Sequence, residues 1–169
     1  MAFLRALLLI LSLLFLVSLG LLLKYTGLLP QKFAFLIRIY WCKFARWVLG
    51  IQCIANGTLS SEPGVLYVSN HRSLIDPIIL FSYIKNGYAI SKAELQNYPL
   101  IGLGASLSGV VYVQRTDSKS RSDAKLTMIE ILRSKHSIIL FPEGTISTQR
   151  SILPFRKGGF EASIECNTC

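Results

Sequence analysis

Acidic residues are missing from the first third of this chain. Nothing acidic precedes Glu62, whereas Arg5, Lys24, Lys32, Arg38, Lys43 and Arg46 all do. Across 169 residues there are nine Asp and Glu against eighteen Lys and Arg, and charge of either sign makes up only 16% of the chain against 51% hydrophobic residues. A basic excess suits nucleic acid or an anionic membrane surface. Here the cations lie among long apolar runs, which favours membrane lipid and argues against nucleic acid. Cysteine is scarce too. Cys42, Cys53, Cys166 and Cys169 are too few and too scattered for a disulfide framework. The Cys166–Cys169 CxxC lacks the βα context or the two further ligands that a redox or zinc site needs. With His71 and His136 as the only histidines, no metal site and no bound cofactor are expected. Gly104-Ala105-Ser106-Leu107-Ser108-Gly109 lacks the GxSxG spacing of a nucleophilic serine elbow, so no nucleophilic serine is evident. There is no internal repeat and no low-complexity linker.

What is present begins with leucine. Ala6 to Leu23 carries no charge, and at about 1.5 Å per residue such a helix reaches roughly 27 Å, close to a bilayer core. The run is long for a signal peptide and has no small-x-small cleavage site before Lys24, which favours a retained anchor over a leader or a helix within one leaflet. A break at Gly27 and Pro30 precedes a second apolar stretch, Lys32 to Ile51. On a helix, Arg38, Lys43 and Arg46 fall within about 140° of arc. Phe33, Ile37, Tyr40, Trp41, Phe44, Trp47 and Val48 fall opposite. This pattern predicts an interfacial helix, its rings in the lipid boundary and its cations toward headgroups. Residues 1–51 thus form a membrane unit. The basic residues after the first segment place the remainder on the cytosolic face. The sequon-like Asn56-Gly57-Thr58 then reads as a turn.

From residue 52 to 169 shorter apolar runs alternate with helical stretches. Strands are predicted at Val65–Ser69, Tyr88–Ser91, Val110–Gln114 and Ser137–Phe141. Helices are predicted at Pro77–Ile84 and Ser118–Lys135, the latter with Leu126, Ile129 and Leu132 on one face. Tyr98 to Leu107 is ambiguous, interrupted by Pro99, Gly102 and Gly104. The alternation predicts an α/β domain with a central mixed sheet flanked by helices, preceded by the membrane-associated helices.

The first strand delivers Asn70-His71 at its C-terminal edge, where ligand sites of α/β sheets gather. A histidine there suits a general base. Asp76 lies five residues on. A continuous helix would place it about 140° around the axis from His71, so the chain must turn back for the two to meet. An aspartate on one imidazole nitrogen fixes the tautomer and stabilises the cation. Asp76 also precedes Pro77 and fits an N-cap with proline at N1, and its two oxygens allow both roles. Arg115 ends a strand and offers a planar, permanently charged donor set suited to phosphate, or is a surface arginine. Lys92 is a weaker candidate for anion binding. Pro142-Glu143-Gly144 would otherwise be a turn after a strand.

Asn70-His71-Arg72-Ser73-Leu74-Ile75-Asp76 resembles the NHxxxxD block of the glycerolipid acyltransferases, the 1-acylglycerol-3-phosphate acyltransferase family. Gly109-Val110-Val111-Tyr112-Val113-Gln114-Arg115 resembles its GxxFIxR block, Phe141-Pro142-Glu143-Gly144-Thr145 its FPEGT block, and Leu153-Pro154-Phe155-Arg156-Lys157-Gly158 its LPFKKG stretch. The likeness runs from Gly64 to Ala162. It implies a phospholipid-biosynthetic enzyme moving a fatty acyl group from acyl-CoA or acyl-carrier protein, as co-substrate, to lysophosphatidic acid. His71 would deprotonate the acceptor hydroxyl and Asp76 would orient it. Arg115 would bind the phosphate. Glu143, Gly144 and Thr145 would shape the acceptor site, Glu143 through glycerol hydroxyls or Arg115. The alternatives are another lysolipid or glycerol 3-phosphate as acceptor, or an inactive membrane-binding homologue. Tyr112-Val113 replaces the usual Phe-Ile, and Ile146 stands where many members carry arginine. The family's fourth block would follow Ala162, so an incomplete chain is expected; a missing strand would leave an unpaired edge.

Overall fold

The computed structural model describes residues 1–147 and 151–168. Two long helices come first, α1 (Ala2–Tyr25) and α2 (Gln31–Leu49). Then follow β1 (Leu66–Val68), α3 (Asp76–Tyr83), β2 (Gly87–Lys92), a 3-10 turn (Ala93–Asn97), α4 (Ile101–Leu107), β3 (Val110–Val113), α5 (Ser118–Arg133), β4 (Ser137–Leu140) and α6 (Gly158–Glu165). The strands form one sheet in the order β1-β4-β2-β3. Every pairing is parallel, where a mixed sheet was expected. Each connection between successive strands contains a helix, which returns the chain to the same end of the sheet.

β4 lies between β1 and β2 and is buried at all four positions. That accounts for its unbroken apolar run, since a central parallel strand is covered on both faces. Met128, Ile129 and Leu132 of α5 and Ala162 of α6 pack on Ile138 and Leu140. On the other face Ile139 meets Ile84, with Leu80 and Phe81 of α3 against it. Asp117 caps α5, its carboxylate accepting from the amides of Lys119 and Ser120. Leu126, expected on the packed face of α5, is 56% exposed; Ala124, Met128, Ile129, Ile131 and Leu132 fill that face instead. The ambiguous stretch after Tyr98 resolves into α4. The sequon-like residues lie in irregular chain that bends at Gly57, where φ is 96°.

α1 is long and apolar enough to cross a membrane, and most of its side chains face outward. α2 corrects the expectation about its faces. Arg38 and Arg46 turn inward to the domain, leaving Lys43 as the exposed member of the three. Arg38 is 6% exposed. Its Nη1 donates to the Ser108 carbonyl (2.6 Å), and its guanidinium lies 4.2 Å from the Phe81 ring centroid and 4.7 Å from that of Phe35. Burial pushes its pKa down to about 10, so it keeps its charge at neutral pH. Arg46 Nη1 donates to Ser82 Oγ (2.8 Å) at the end of α3. A carbonyl, a hydroxyl and aromatic rings of the domain thus meet the two arginines in place of headgroups, while Arg38 Nε and Nη2 and Arg46 Nε make no hydrogen bond among the described residues. Tyr40 and Trp47 remain outside, 66% and 77% exposed. Trp41 Nε1 donates to Ser12 Oγ and ties α2 to α1.

Candidate active site

Four parallel strands present their C-terminal ends at one edge, and each end carries a residue singled out above. His71 follows β1, Glu143 and Gly144 follow β4, Lys92 closes β2 and Arg115 follows β3. His136 immediately precedes β4 and so lies toward the opposite edge.

Beyond β1 the pairing continues for one residue, Ser69 N–H donating to the Leu140 carbonyl (3.1 Å). The chain then turns back rather than continuing as a helix. The Asp76 amide donates to the Ser73 carbonyl (3.2 Å), and the Ile75 amide to Ser73 Oγ (3.2 Å). This turn brings Asp76 Oδ2 to 3.0 Å from His71 Nδ1. The same oxygen accepts from the amides of Arg72 (2.7 Å) and Ser73 (2.8 Å). The capping alternative does not hold: Ile75 is the N-cap of α3, no side chain caps it, and the Asp76 carboxylate faces backward to His71 and the preceding amides. Pro77 does occupy the first turn.

Burial alone would raise the Asp76 pKa. The hydrogen bond with His71 and those from Ser73 and Arg72 outweigh it, and the carboxyl titrates below its ordinary value. A depressed native pKa stabilises the fold above the unfolded value of about 3.9 and is lost as pH falls through the lowered native value. Denaturant midpoints of wild type and Asp76→Asn should therefore differ at pH 7 and converge below about pH 4.

An ionised Asp76 accepts, so Nδ1 carries the proton and Nε2 holds the lone pair. Nε2 has no hydrogen bond among the described residues. The imidazole is stacked on Phe141, with centroids 4.2 Å apart and 21° between planes. The His71 backbone is held as well. Its amide donates to Glu143 Oε1 (3.3 Å) and its carbonyl accepts from the Ser147 amide (2.8 Å).

Glu143 is 5% exposed and turned inward. Its second oxygen accepts from the Leu153 amide (2.9 Å). It braces backbone, and makes neither the expected contact with Arg115 nor one with an open acceptor surface. Arg115 Nη1 instead donates to the Gly144 carbonyl. Burial lowers the Arg115 pKa, the charge of Arg156 lowers it further, and Glu94 partly offsets both. Lys92 is exposed and forms no ion pair among the described residues; Thr145 is exposed beside Gly144. Residue spacing gives no role to Phe141 or Arg156. Phe141 lies within the FPEGT-like block, but nothing along the chain shows that its ring meets His71. Cys166 packs against α5, its Sγ 3.6 Å from the Ile129 carbonyl. Its CxxC mate Cys169 lies outside the described residues.

Comparison with known proteins places the chain in a family. The family model described as Acyltransferase matches residues 50–169. The chain is 35% identical over 138 residues to the chloroplastic 1-acyl-sn-glycerol-3-phosphate acyltransferase LPAT1 of Arabidopsis thaliana, covering 80% of this chain and 38% of that protein. It is 28% identical to a lyso-ornithine lipid O-acyltransferase of Rhodobacter capsulatus, over 72% of this chain and 43% of that one. The chain therefore spans less than half the length of these two relatives. In fold it is similar to the crystal structure of the 1-acyl-sn-glycerophosphate (LPA) acyltransferase PlsC from Thermotoga maritima, at a TM-score of 0.69 and 23% identity, over 99% of this chain and 73% of that one. With the family model matching most of its length, the chain belongs to the Acyltransferase family.

Proposed function

We propose that the protein transfers a fatty acyl group from an acyl thioester, acyl-CoA or acyl-carrier protein, to the free hydroxyl of lysophosphatidic acid, forming phosphatidic acid. The observation that carries this reading is His71: Nδ1 is committed to Asp76, and Nε2 is open at the sheet edge that also holds Arg115. The acceptor hydroxyl gives its proton to Nε2 as its oxygen attacks the thioester carbonyl. The C–S bond breaks, and the leaving thiolate takes the proton back from His71. Asp76 stabilises the imidazolium between these steps. No covalent acyl-enzyme is needed. Arg115 and Lys92 supply positive charge for the phosphate.

A lysolipid acceptor resides in the bilayer. The apolar α1 and the exposed rings of α2 support seating of the protein on that surface. The basic residues between Lys24 and Arg46 support a cytosolic face for the catalytic domain. A second reading takes a phosphate-free lyso-aminolipid as acceptor. It is favoured by Ile146 in place of a cation and by the lyso-ornithine lipid relative.

An acceptor panel separates the two. Lysophosphatidic acid should be the best acceptor, ahead of lyso-ornithine lipid and monoacylglycerol. Arg115→Ala should raise KM for lysophosphatidic acid about tenfold or more, the scale of one hydrogen bond to a charged group. Preference for lyso-ornithine lipid, or indifference of KM to Arg115→Ala, would transfer support to the second reading.

A further inference from the structure

We infer that Arg156 is a second phosphate-binding cation of this site, acting with Arg115 across Gly144 and favouring a phosphomonoester headgroup; this rests on the phosphate-acceptor reading above. The segment carrying Arg156 is laid along the loop after β4 by two hydrogen bonds. Leu153 N–H donates to Glu143 Oε2 (2.9 Å), and Arg156 N–H donates to the Pro142 carbonyl (2.9 Å). These bonds fix the Arg156 backbone beside the loop that supports His71.

The side chain then runs over Gly144. A Cβ placed on Gly144 would come 2.5 Å from Arg156 Nε, 3.1 Å from Cδ and 3.5 Å from Cζ. The bare Cα is therefore what lets the guanidinium lie there, and the φ of 72° at Gly144 suits glycine for the same position. Arg115 reaches the same residue through its carbonyl. Two guanidiniums thus meet on one residue, adjacent in sequence to the glutamate that holds the His71 amide.

Like charges brought together repel, and Arg156 acts on Arg115 in that sense. Neither arginine forms a salt bridge among the described residues. Glu94 offsets the charge at Arg115 only in part, and Glu143 turns its carboxylate to two backbone amides and forms no ion pair with either arginine. A pair of closely spaced guanidiniums with no salt-bridge partner among the described residues is relieved by an anion with oxygens for both. A phosphate monoester carries up to two charges and three terminal oxygens, enough for both donor sets. A phosphodiester carries one charge and two terminal oxygens and satisfies the pair less well. Lysophosphatidic acid and glycerol 3-phosphate belong to the first class.

The test uses Arg156→Gln, which keeps most of the side-chain stem over Gly144, and Arg156→Lys, which keeps the charge. With lysophosphatidic acid, Arg156→Gln should raise KM on the order of tenfold, the scale of a charge-assisted hydrogen bond, and change kcat by less than about twofold. With monoacylglycerol its KM should not move. Arg156→Lys should recover part of the loss. Calorimetric binding of glycerol 3-phosphate provides a readout independent of turnover, and should weaken at least fivefold in Arg156→Gln. An unchanged KM and glycerol 3-phosphate affinity would overturn the inference. So would an equal KM rise for both acceptors, which would mark Arg156 as merely structural, or a wild type that does not bind glycerol 3-phosphate. Binding lost in Arg156→Gln but no acyl transfer by the wild type would sink the acyl-transfer reading and leave the cation pair standing.

Discussion

His71→Ala is expected to lower kcat for acyl transfer by a factor on the order of 10² to 10⁴, the usual contribution of a positioned general base. The protein should stay folded. The two backbone bonds of residue 71, from its amide to Glu143 and to its carbonyl from Ser147, do not involve the imidazole. What disappears with the ring is the pairing with Asp76 and the stack on Phe141, the latter worth about 0.5–1.5 kcal/mol. KM for lysophosphatidic acid should change little, because the cations that would hold the phosphate lie elsewhere along the sheet edge. Steady-state kinetics on protein with an unchanged circular dichroism spectrum checks this, and retained turnover would remove His71 from the chemistry.

Glu143→Leu should combine a stability loss with a loss of activity. The carboxylate is 5% exposed and accepts from the amides of His71 and Leu153. A leucine of similar volume accepts from neither. A fully buried donor left without a partner costs about 1–3 kcal/mol; both amides are part-buried, so the two together cost on the order of 2 kcal/mol, still a sizeable part of ordinary domain stability. Two segments come loose at once: the turn holding His71 and the stretch carrying Arg156. Activity should therefore fall even at temperatures where the variant remains folded, through both kcat and KM. Glu143→Gln keeps one acceptor oxygen and should be markedly milder in both respects. A thermal unfolding midpoint for Glu143→Leu equal to that of the wild type would contradict the bracing role.

The legible parts of this fold are those with one dominant local signal. β4 reads from an unbroken apolar run because a central parallel strand is buried on both faces. α5 reads from its amphipathic spacing. The His71–Asp76 pairing was available from motif spacing, although helix geometry alone argued against contact; the turn at Ser73 resolves that. The orientation of α2 was not legible. Periodicity separates its cationic side from its aromatic side but does not say which meets the domain, and Arg38 finds its partners in Phe81 and Ser108, far along the chain. The family resemblance puts Glu143 at the acceptor site, and nothing along the chain shows the two distant backbone amides that draw it inward. Arg156 was unreadable for a related reason: its place beside Gly144 depends on hydrogen bonds made from Leu153 and Arg156 back to the loop after β4.

The central claim is direct transfer driven by His71, with the acceptor's hydroxyl as the attacking group. Its most direct test is thiol release from a long-chain acyl thioester by the wild-type protein in lipid vesicles, measured with and without lysophosphatidic acid, while phosphatidic acid is quantified in the same samples. The account predicts thiol release only with the acceptor present, at one thiol per phosphatidic acid formed. Thiol release at the same rate without acceptor, or without matching phosphatidic acid, would contradict it.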